Sequence, residues 1–514
     1  MVFVLCPVRG APRLGLINPS LLLVQIGWQY RKHSHPNLLP RFVSTESDSF
    51  SEGKKGTSRS SNSRSSSSQP TRSKPDEPST STSDSSGSLS RPPPDWDQDP
   101  DFSISTFSQL PHTNFGVNQH ILINNEFKEA LRQILWQFRA PIRYAFAYGS
   151  GVFPQSSRSS TSKLSLHPSP SPAITTAQQG QGKMIDLIFG VTHTQHWHSL
   201  NLHQHREHYS VLGSLGSAVV SHVQDRWGAG VYFNPYVTVN GTVIKYGVVS
   251  MDSLCKDLSE WQSLYLAGRL QKPVKILRDD PRVRLANQIN LISAVRTALL
   301  LLPPHFTERE LYSTIAGISY MGDPRMALPT ENANKVSNIV TGQLTNFRNL
   351  YAPLIENLPN VFFKDPRCSD PNWADDPTVD ATLAQDMDPV KRGNMVRRLP
   401  KAFREKLYFQ YQRKFQIPQL EFNKMMEESS DEDPNRIKRR QGGRFEQSIA
   451  GDEEKLPEEV AAVIRKTISW NSTAQSFKGI LTAGLGRTWR YVLEKVGKWR
   501  EGMAKRQERE PKKA

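Results

Sequence analysis

One aspartate inside an otherwise apolar stretch constrains the fold of this chain more than any other feature. Asp186 lies within Met-Ile-Asp-Leu-Ile-Phe, residues 184–189, and its apolar neighbours favour a strand that is buried on both faces. An ionised carboxylate in such a strand is costly unless a cation or hydrogen bonds compensate for its charge. Asp186 therefore either binds a cation or lies at a strand end where backbone N–H groups satisfy it.

A second predicted strand precedes Asp186 and ends in a turn of small residues. Segment 144–148 alternates aromatic residues with alanine, and Gly149, Ser150 and Gly151 follow it. Small residues let backbone N–H groups approach a triphosphate, and an aspartate on the next strand can hold Mg²⁺. Together the turn and Asp186 predict a nucleotidyl-transfer site, and therefore an enzyme that acts on a nucleotide.

The composition allows a large folded core and favours anionic partners. The chain has 514 residues, of which 37% are hydrophobic and 22% charged, so about two or three domains are expected. Its formal net charge of +16 suits nucleotides, nucleic acid or an acidic membrane surface.

No apolar run approaches the roughly 20 residues that span a bilayer, which predicts a soluble or peripherally bound protein. Cys6, Cys255 and Cys368 are widely spaced and odd in number, so reduced thiols are expected.

The N-terminal part of the chain resembles a targeting segment followed by a disordered one. Residues 1–45 contain five Arg and Lys residues and no acidic residue, which is typical of a mitochondrial transit peptide; a basic tail is the alternative. Residues 46–100 are rich in Ser and Pro and are predicted to be disordered. An α/β domain is predicted over 101–280, with a second Ser/Pro-rich insertion at 156–182 before the strand of Asp186.

Four further elements are predicted within the α/β domain. They are a helix over 127–138, a hairpin over 230–250 that turns at Asn240-Gly241, a helix capped by Ser250 or Asp252 that stops at Gly268, and a strand over 272–277.

The C-terminal half is predicted to be mainly helical. Residues 281–425 show helical periodicity, and 426–455 form a charged linker. Region 456–514 is predicted to associate with a membrane, because apolar residues recur at helical spacing among cations. These apolar residues are Leu485, Trp489, Val492, Leu493, Val496 and Trp499. The alternative is a helix that docks on the protein's own core.

Several longer strings are shared with a known family. They are YAFAYGSGVFPQ, MIDLIFGV, HWHSLNL, GAGVYFNPYVTVNG, IKYGVVSMDSL, YLAGRLQKPVKIL, AGISYMGDPRM and KGILTAG. On these strings, which run with gaps from about Phe115 to Gly484, the chain resembles the mitochondrial phosphatidate cytidylyltransferase family, also called the translocator assembly and maintenance family.

The resemblance implies a fold, an activity and a location. The implied fold is an α/β nucleotidyltransferase-like domain with a mixed sheet, followed by a helical winged-helix-like domain and a C-terminal amphipathic helix. The implied enzyme uses CTP, phosphatidate and Mg²⁺ to make CDP-diacylglycerol, the precursor of cardiolipin. It attaches peripherally to the matrix side of the anionic inner mitochondrial membrane, and nucleic acid is not expected as a partner.

One acidic residue of the wider nucleotidyltransferase pattern is absent. DNA polymerase beta-like enzymes place a second acid two positions after the first, where this chain has Ile188. Another metal-binding carboxylate would have to come from elsewhere, and Asp252, Asp257 and Asp323 are candidates.

The phosphate of phosphatidate is already anionic, with a second pKa of roughly 6. No strong general base is therefore needed, and catalysis should rest on charge neutralisation and positioning.

Four basic residues in the family strings are candidates for this neutralisation. Lys245 and Lys272 are the leading candidates for catalysis beside Asp186, and Arg269 and Lys275 are candidates for contacts with CTP. Lys272 and Lys275 are three apart on a predicted strand and should face opposite sides, so one of them faces the phosphates. The alternative for each is a solvated surface charge.

A histidine-rich segment follows the strand of Asp186. Its histidines are His193, His196, His198, His203, His205 and His208. Their spacing fits no standard zinc template, so neutral imidazoles on a partly exposed helix are predicted instead of a metal site. The family string HSLN implies positions near the nucleotide for His198 and Asn201.

Two other functions compete with lipid cytidylylation. An RNA-directed nucleotidyltransferase agrees with the basic charge and the predicted fold, although the absent second acid and the amphipathic tail disfavour it. A degenerate, non-catalytic nucleotidyltransferase could instead serve as an assembly factor for inner-membrane complexes.

Overall fold

The computed structural model of the protein describes residues 96–97, 101–153, 166–327, 334–429, 441–484 and 486. The predicted transit peptide, most of segment 46–100 and the six apolar residues of the predicted amphipathic helix lie outside these residues. Those three expectations stay predictions.

A five-stranded mixed sheet carries the predicted site. Its strands are β1 (Tyr144–Tyr148), β2 (Ile185–Val191), β3 (Tyr232–Val239), β4 (Thr242–Ser250) and β5 (Lys275–Arg278). The order across the sheet is β3-β4-β2-β1-β5; β2 and β4 run parallel, and the other neighbours are antiparallel. The predicted α/β class and mixed sheet are confirmed. The last strand begins later than predicted, because Lys272 lies in the turn before it.

Helices account for most of the remaining described residues. The α-helices are α1 (Asn125–Trp136), α2 (Pro172–Ala177), α3 (Thr194–Gln204), α4 (Ser217–Arg226), α5 (Met251–Glu260), α6 (Ala267–Leu270), α7 (Pro281–Leu301), α8 (Glu308–Ile318), α9 (Pro324–Ala327), α10 (Lys335–Gly342), α11 (Leu344–Ile355), α12 (Pro389–Arg397), α13 (Lys401–Lys414), α14 (Gln419–Ser429), α15 (Arg444–Ala450) and α16 (Leu456–Ala483). A small antiparallel sheet of order β6-β8-β7 is formed by β6 (His305–Thr307), β7 (Val361–Phe363) and β8 (Thr382–Gln385).

Local sequence chemistry explains the elements that were predicted correctly. The side chain of Asn124 accepts hydrogen bonds from the N–H groups of Glu126 and Phe127 and so caps α1, the helix predicted over 127–138. The hairpin turns at Asn240 and Gly241, whose φ angles are 46° and 70°. Both central residues of this two-residue turn need a positive φ, which Asn-Gly tolerates.

Helix α5 is shorter than the sequence predicts. Ser250 caps its start, but the helix ends at Glu260 instead of Gly268. The cause is Asp257, whose carboxylate accepts hydrogen bonds from four backbone N–H groups of the following loop, at 2.9–3.1 Å. These donors are Ser263, Leu264, Leu266 and Ala267. These hydrogen bonds turn the chain before α6, and the helical periodicity of the sequence does not predict them.

One hydrophobic core joins the sheet to the C-terminal half of the described chain. It extends from Tyr144 on β1 to Ile468 on α16, and α7 is buried along nearly its whole length. The region predicted as a helical domain, 281–425, is mainly helical but shares this core with the sheet. Its three short strands were not predicted, because three or four residues are too few to show a period.

Among the described helices, none is both long enough and apolar enough to cross a bilayer.

Substitution of Asp257 by Ala should lower the free energy of unfolding by roughly 2–4 kcal/mol, because several buried N–H donors would lose a charged acceptor. Urea titration followed by circular dichroism measures the change. The matched control is Asp252→Ala on the same helix, where an exposed ion pair with Arg282 at 2.9 Å is removed. That change should cost less than about 1 kcal/mol. Equal losses in the two variants would contradict the role given to Asp257.

Candidate active site

Strand register brings three side chains together on one face of the sheet. Asp186 on β2 pairs with Tyr148 on β1 and with Lys245 on β4. Lys245 Nζ lies 3.3 Å from Asp186 Oδ1, and the two side chains are 22% and 25% exposed, so both remain accessible to a ligand. Lys245 on the neighbouring strand thus supplies part of the positive charge that compensates the Asp186 carboxylate.

The predicted phosphate-binding turn lies against the same carboxylate. Gly149 follows β1 with a φ of +82°, and a Cβ at this position would lie 3.4 Å from Asp186 Oδ2. A Cβ on Gly151 would collide with the carbonyl oxygen of Met184, so the turn also needs a residue without a side chain there. Ser150 between them is exposed. The sequence was therefore right to place Asp186 beside the turn.

Part of the Ser/Pro-rich insertion holds this turn in place. The side-chain amide of Gln178, at the end of α2, donates to the carbonyl oxygens of Gly151 and Lys183, both at 2.8 Å. His167 Nε2 lies 3.2 Å from Gln178 Oε1, and its Nδ1 accepts from the N–H of Val243 on β4 at 2.9 Å. The described part of segment 156–182, residues 166–182, thus links the turn, the start of β2 and β4. No sequence motif indicated this role.

Arg269 lies next to the Asp186 face. Its Nε donates to the hydroxyl of Tyr148 at 3.3 Å, and its guanidinium lies 3.9 Å from the ring centre of Tyr265. Burial and then the charge of Asp186 raise the pKa of Tyr148, while Arg269 and Lys245 act in the opposite direction. Tyr148 is therefore close to all three charged groups and connects Arg269 to the Asp186 pair.

Lys272 extends the positive charge away from Asp186. Its Nζ donates to Ser319 Oγ at 2.8 Å and also to the carbonyl oxygen of Gly268. Burial, together with the nearby charges of Arg269 and Lys335, lowers the pKa of Lys272 to about 7. A bound anion would counter both charges and restore the positive form of this lysine.

Two more basic side chains near Arg269 and Lys272 come from the part of the chain that follows residue 281. Arg325 is close enough for its charge to act on Arg269, and Lys335 lies 5.1 Å from the ring centre of Tyr320, which also contacts Lys272. We call Arg269, Lys272, Arg325 and Lys335 the cationic cluster. Arg325 lies in the string AGISYMGDPRM, so the resemblance contained a signal for it, whereas nothing in the sequence distinguished Lys335.

Three predicted site residues lie on the other face of the sheet. Lys275 is buried and donates to the carbonyl oxygen of Ile121 at 2.7 Å. His198 is enclosed between Tyr209 and Gln224, at 2.8 and 2.7 Å, and burial lowers its pKa to about 4. Lys275 thus faces away from Asp186, but not because the two lysines share a strand as predicted, since Lys272 lies before β5.

Asn201 shares the buried network of His198. Its amide donates to the hydroxyls of Tyr209 and Tyr246, at 2.9 and 3.0 Å. Tyr246 follows Lys245 on β4, and successive residues of a strand point to opposite faces. The structure therefore gives His198, Asn201 and Lys275 structural contacts and does not bring them to Asp186.

The candidate second carboxylates are engaged elsewhere. Asp252 pairs with Arg282, Asp257 binds backbone N–H groups, and Asp323 pairs with Arg325 and accepts from Ser472 Oγ at 3.0 Å. Within the described ranges, none of them has a contact with Asp186. Mg²⁺ is commonly held by one or two carboxylates together with substrate phosphates. Asp186 beside the Gly149 turn fits a site of this kind, which substrate oxygens would complete.

Comparison with known proteins gives one family. A family model described as mitochondrial phosphatidate cytidylyltransferase matches residues 131–498. The protein of that name from Saccharomyces cerevisiae is 43% identical over 261 residues, which cover 49% of this chain and 61% of the yeast protein. The Schizosaccharomyces pombe protein is 43% identical over 246 residues, 48% of this chain and 58% of its own length. The bovine protein is 35% identical over 379 residues, 73% of this chain and 96% of its own length. The matches to the two fungal proteins thus span less than two thirds of their lengths.

Substitution of Gln178 by Ala should destabilise the fold by about 1–3 kcal/mol, because the buried carbonyls of Gly151 and Lys183 would lose their donor. Thermal and urea unfolding measure the loss. Gln181→Ala, three residues further along, is the matched control and should change stability by less than about 0.5 kcal/mol. A neutral result for Gln178→Ala would show that the turn does not depend on the insertion.

Proposed function

Because the chain belongs to the mitochondrial phosphatidate cytidylyltransferase family, we propose that it transfers the cytidylyl group of CTP to phosphatidate and forms CDP-diacylglycerol. The observation that carries this proposal is the Asp186 carboxylate, which faces the Gly149 turn and lies 3.3 Å from Lys245. A turn for phosphates, a carboxylate for a metal and a lysine for charge are the parts that nucleotidyl transfer needs.

In the proposed reaction a phosphate oxygen of phosphatidate attacks the α-phosphorus of CTP. A new P–O bond forms there, the bond from the α-phosphorus to the oxygen shared with the β-phosphate breaks, and pyrophosphate leaves with those electrons. The nucleophile is already anionic near neutral pH, so no side chain has to remove a proton from it. This agrees with Ile188, which replaces the second acid of polymerase-type sites.

The main barrier to this reaction is the repulsion between two anionic substrates. We assign the triphosphate to the Gly149 turn, with Lys245 beside it, and the phosphate of phosphatidate to the cationic cluster. Mutual repulsion within the cluster, which helps to lower the pKa of Lys272, would be relieved by a bound phosphate. Mg²⁺ held by Asp186 would supply further neutralisation of the triphosphate when bound.

The finer architecture and location follow the same proposal. The five-stranded sheet would be the nucleotidyltransferase-like domain, and the region from α7 to α13, with its small sheet, would be the winged-helix-like part. The protein would act at the matrix side of the inner mitochondrial membrane, where its product is the precursor of cardiolipin.

An exposed apolar face of α16 supports peripheral attachment to that membrane. Trp470, Phe477 and Leu481 are 74%, 67% and 51% exposed. Their spacing of seven and four residues places them on one side of the helix. The opposite side is fixed to the protein, since Ser472 contacts Asp323 and Gln475 donates to the carbonyl oxygen of Val231 at 3.0 Å. The helix would therefore present its apolar side to lipid, while its other side contacts Asp323, the ion-pair partner of Arg325.

Replacement of Asp186 by Asn should reduce the formation of labelled lipid from labelled CTP, Mg²⁺ and phosphatidate by at least about 100-fold, because a carboxylate on which phosphate neutralisation depends is lost. Thin-layer separation of the labelled lipid measures the rate. Asp252→Asn, with an exposed carboxylate paired to Arg282, is the control and should retain the rate.

Three outcomes of this experiment would contradict the proposal. An unchanged rate in Asp186→Asn would remove Asp186 from the site. Label in added RNA instead of lipid would favour the RNA-directed enzyme. No product from wild type with either substrate would favour the assembly factor.

The double substitution Trp470→Ala, Phe477→Ala should weaken binding to vesicles that contain an anionic phospholipid by at least about tenfold, since each buried aromatic side chain contributes roughly 1.5–3 kcal/mol. Co-sedimentation with vesicles measures binding. Trp136→Ala, at the exposed end of α1, is the control and should bind like wild type. Equal binding by all three proteins would exclude this face as the attachment surface.

A further inference from the structure

Aromatic rings lie against the basic side chains of the candidate site. Lys245 Nζ is 4.7 Å from the ring centre of Phe233, and the Arg269 guanidinium is 3.9 Å from the ring centre of Tyr265. The two rings also meet edge to face, with centres 6.5 Å apart. A cation within about 6 Å of a ring centre is attracted by the electrons of the ring face. The two rings therefore form a connected support for Lys245 and Arg269.

Tyr320 has the same relation to two lysines of the cationic cluster. Lys272 Nζ and Lys335 Nζ lie 5.2 and 5.1 Å from its ring centre. The two ammonium groups repel each other, and the charge of Lys335 contributes to the lowered pKa of Lys272. A shared ring gives both groups an attractive partner and offsets part of this repulsion.

A glycine on β4 makes room for the ring of Phe233. Gly247 pairs with Phe233 across the two strands and lies two residues after Lys245, on the same face of the sheet. A Cβ on Gly247 would lie 2.6 Å from a ring carbon of Phe233. Glycine inside a strand often marks such a close approach. The ring of Phe233 thus crosses β4 at a position without a side chain and reaches Lys245.

A neutral ring positions a cation without cancelling its charge. A carboxylate also holds an ammonium group, but the pair then has little net charge to attract a phosphate. Asp186 is the proposed metal ligand, so its ion pair with Lys245 would weaken when the carboxylate binds a metal, whereas the contact with Phe233 would remain. Arg269 has further neutral partners, the hydroxyl of Tyr148 and the carbonyl oxygen of Tyr265.

We propose that Phe233, Tyr265 and Tyr320 are positioning residues for the transfer reaction. They hold the neighbouring cations in place and leave the positive charge available to the substrate phosphates. The inference rests on the proposed function, because it takes Lys245 and Arg269 to be groups that neutralise these phosphates.

Double-substitution cycles test this role, with the formation of labelled lipid from labelled CTP, Mg²⁺ and phosphatidate as the readout. Phe233→Leu keeps an apolar side chain but removes the ring, and it should lower kcat/KM by about 5- to 30-fold. In a Lys245→Met background the same change should lower kcat/KM by less than about twofold, because the group on which the ring acts is absent. A ring needed only for packing would cost the same in both backgrounds.

The two tyrosines allow a conservative variant. Tyr265→Leu and Tyr320→Leu should each lower kcat/KM by a similar factor, and the effect of Tyr265→Leu should largely disappear in an Arg269→Met background. Tyr265→Phe and Tyr320→Phe keep the ring and should remain within about twofold of the wild-type kcat/KM.

Phe403→Leu is the control for the loss of a buried ring, because Phe403 belongs to the same hydrophobic core and packs against Trp261, with ring centres 5.5 Å apart. It should lower the temperature of unfolding and show no coupling to Lys245→Met. Additive losses in the Phe233 and Lys245 variants, or equal losses in Tyr265→Phe and Tyr265→Leu, would overturn the inference and leave the proposed function intact. No labelled lipid from wild type would overturn both.

Discussion

The ion pair between Asp186 and Lys245 is the interaction on which the candidate site depends. A carboxylate in the middle of a buried sheet is tolerated because the parallel neighbour β4 places an ammonium group 3.3 Å away and because about a quarter of the carboxylate side chain remains exposed. Register determines this arrangement. A slip of one residue between β2 and β4 would turn Asp186 to the opposite face and bury it among the packed aromatic rings around Tyr246.

The two faces of this sheet therefore have different chemistry, although the same short strings supply both. Lys245 and Tyr246 are neighbours in sequence, yet the first belongs to a charged, accessible face and the second to a closed network of hydroxyl, amide and imidazole groups. A shared string identifies a family, but it does not say which of its residues contact the substrate. The strand geometry decides that.

Short sequence patterns correctly predicted the turns and caps that depend only on neighbouring residues. The Asn240-Gly241 hairpin, the Ser250 cap and the glycine turn beside Asp186 all have local causes, and the structure contains them. What failed depended on contacts that no short sequence pattern describes, some of them within ten residues and others much further along the chain. Helix α5 ends early because Asp257 binds the loop ahead of it, and His198 is enclosed by Tyr209 and Gln224. Lys335 reaches the neighbourhood of Lys272 only because the fold joins segments more than sixty residues apart.

The hydrogen bonds of Gln178 also limit how the segment between Gly151 and Lys183 can change in length. Segment 156–182 has the composition of a spacer, and spacers are expected to vary freely between relatives. Here one amide from that segment satisfies the carbonyls at both ends of the excursion, Gly151 and Lys183. A relative that lacks the segment must provide another donor for these two oxygens. Tolerance to shortening is therefore set by whatever group takes the place of that amide, and chain length alone does not determine it.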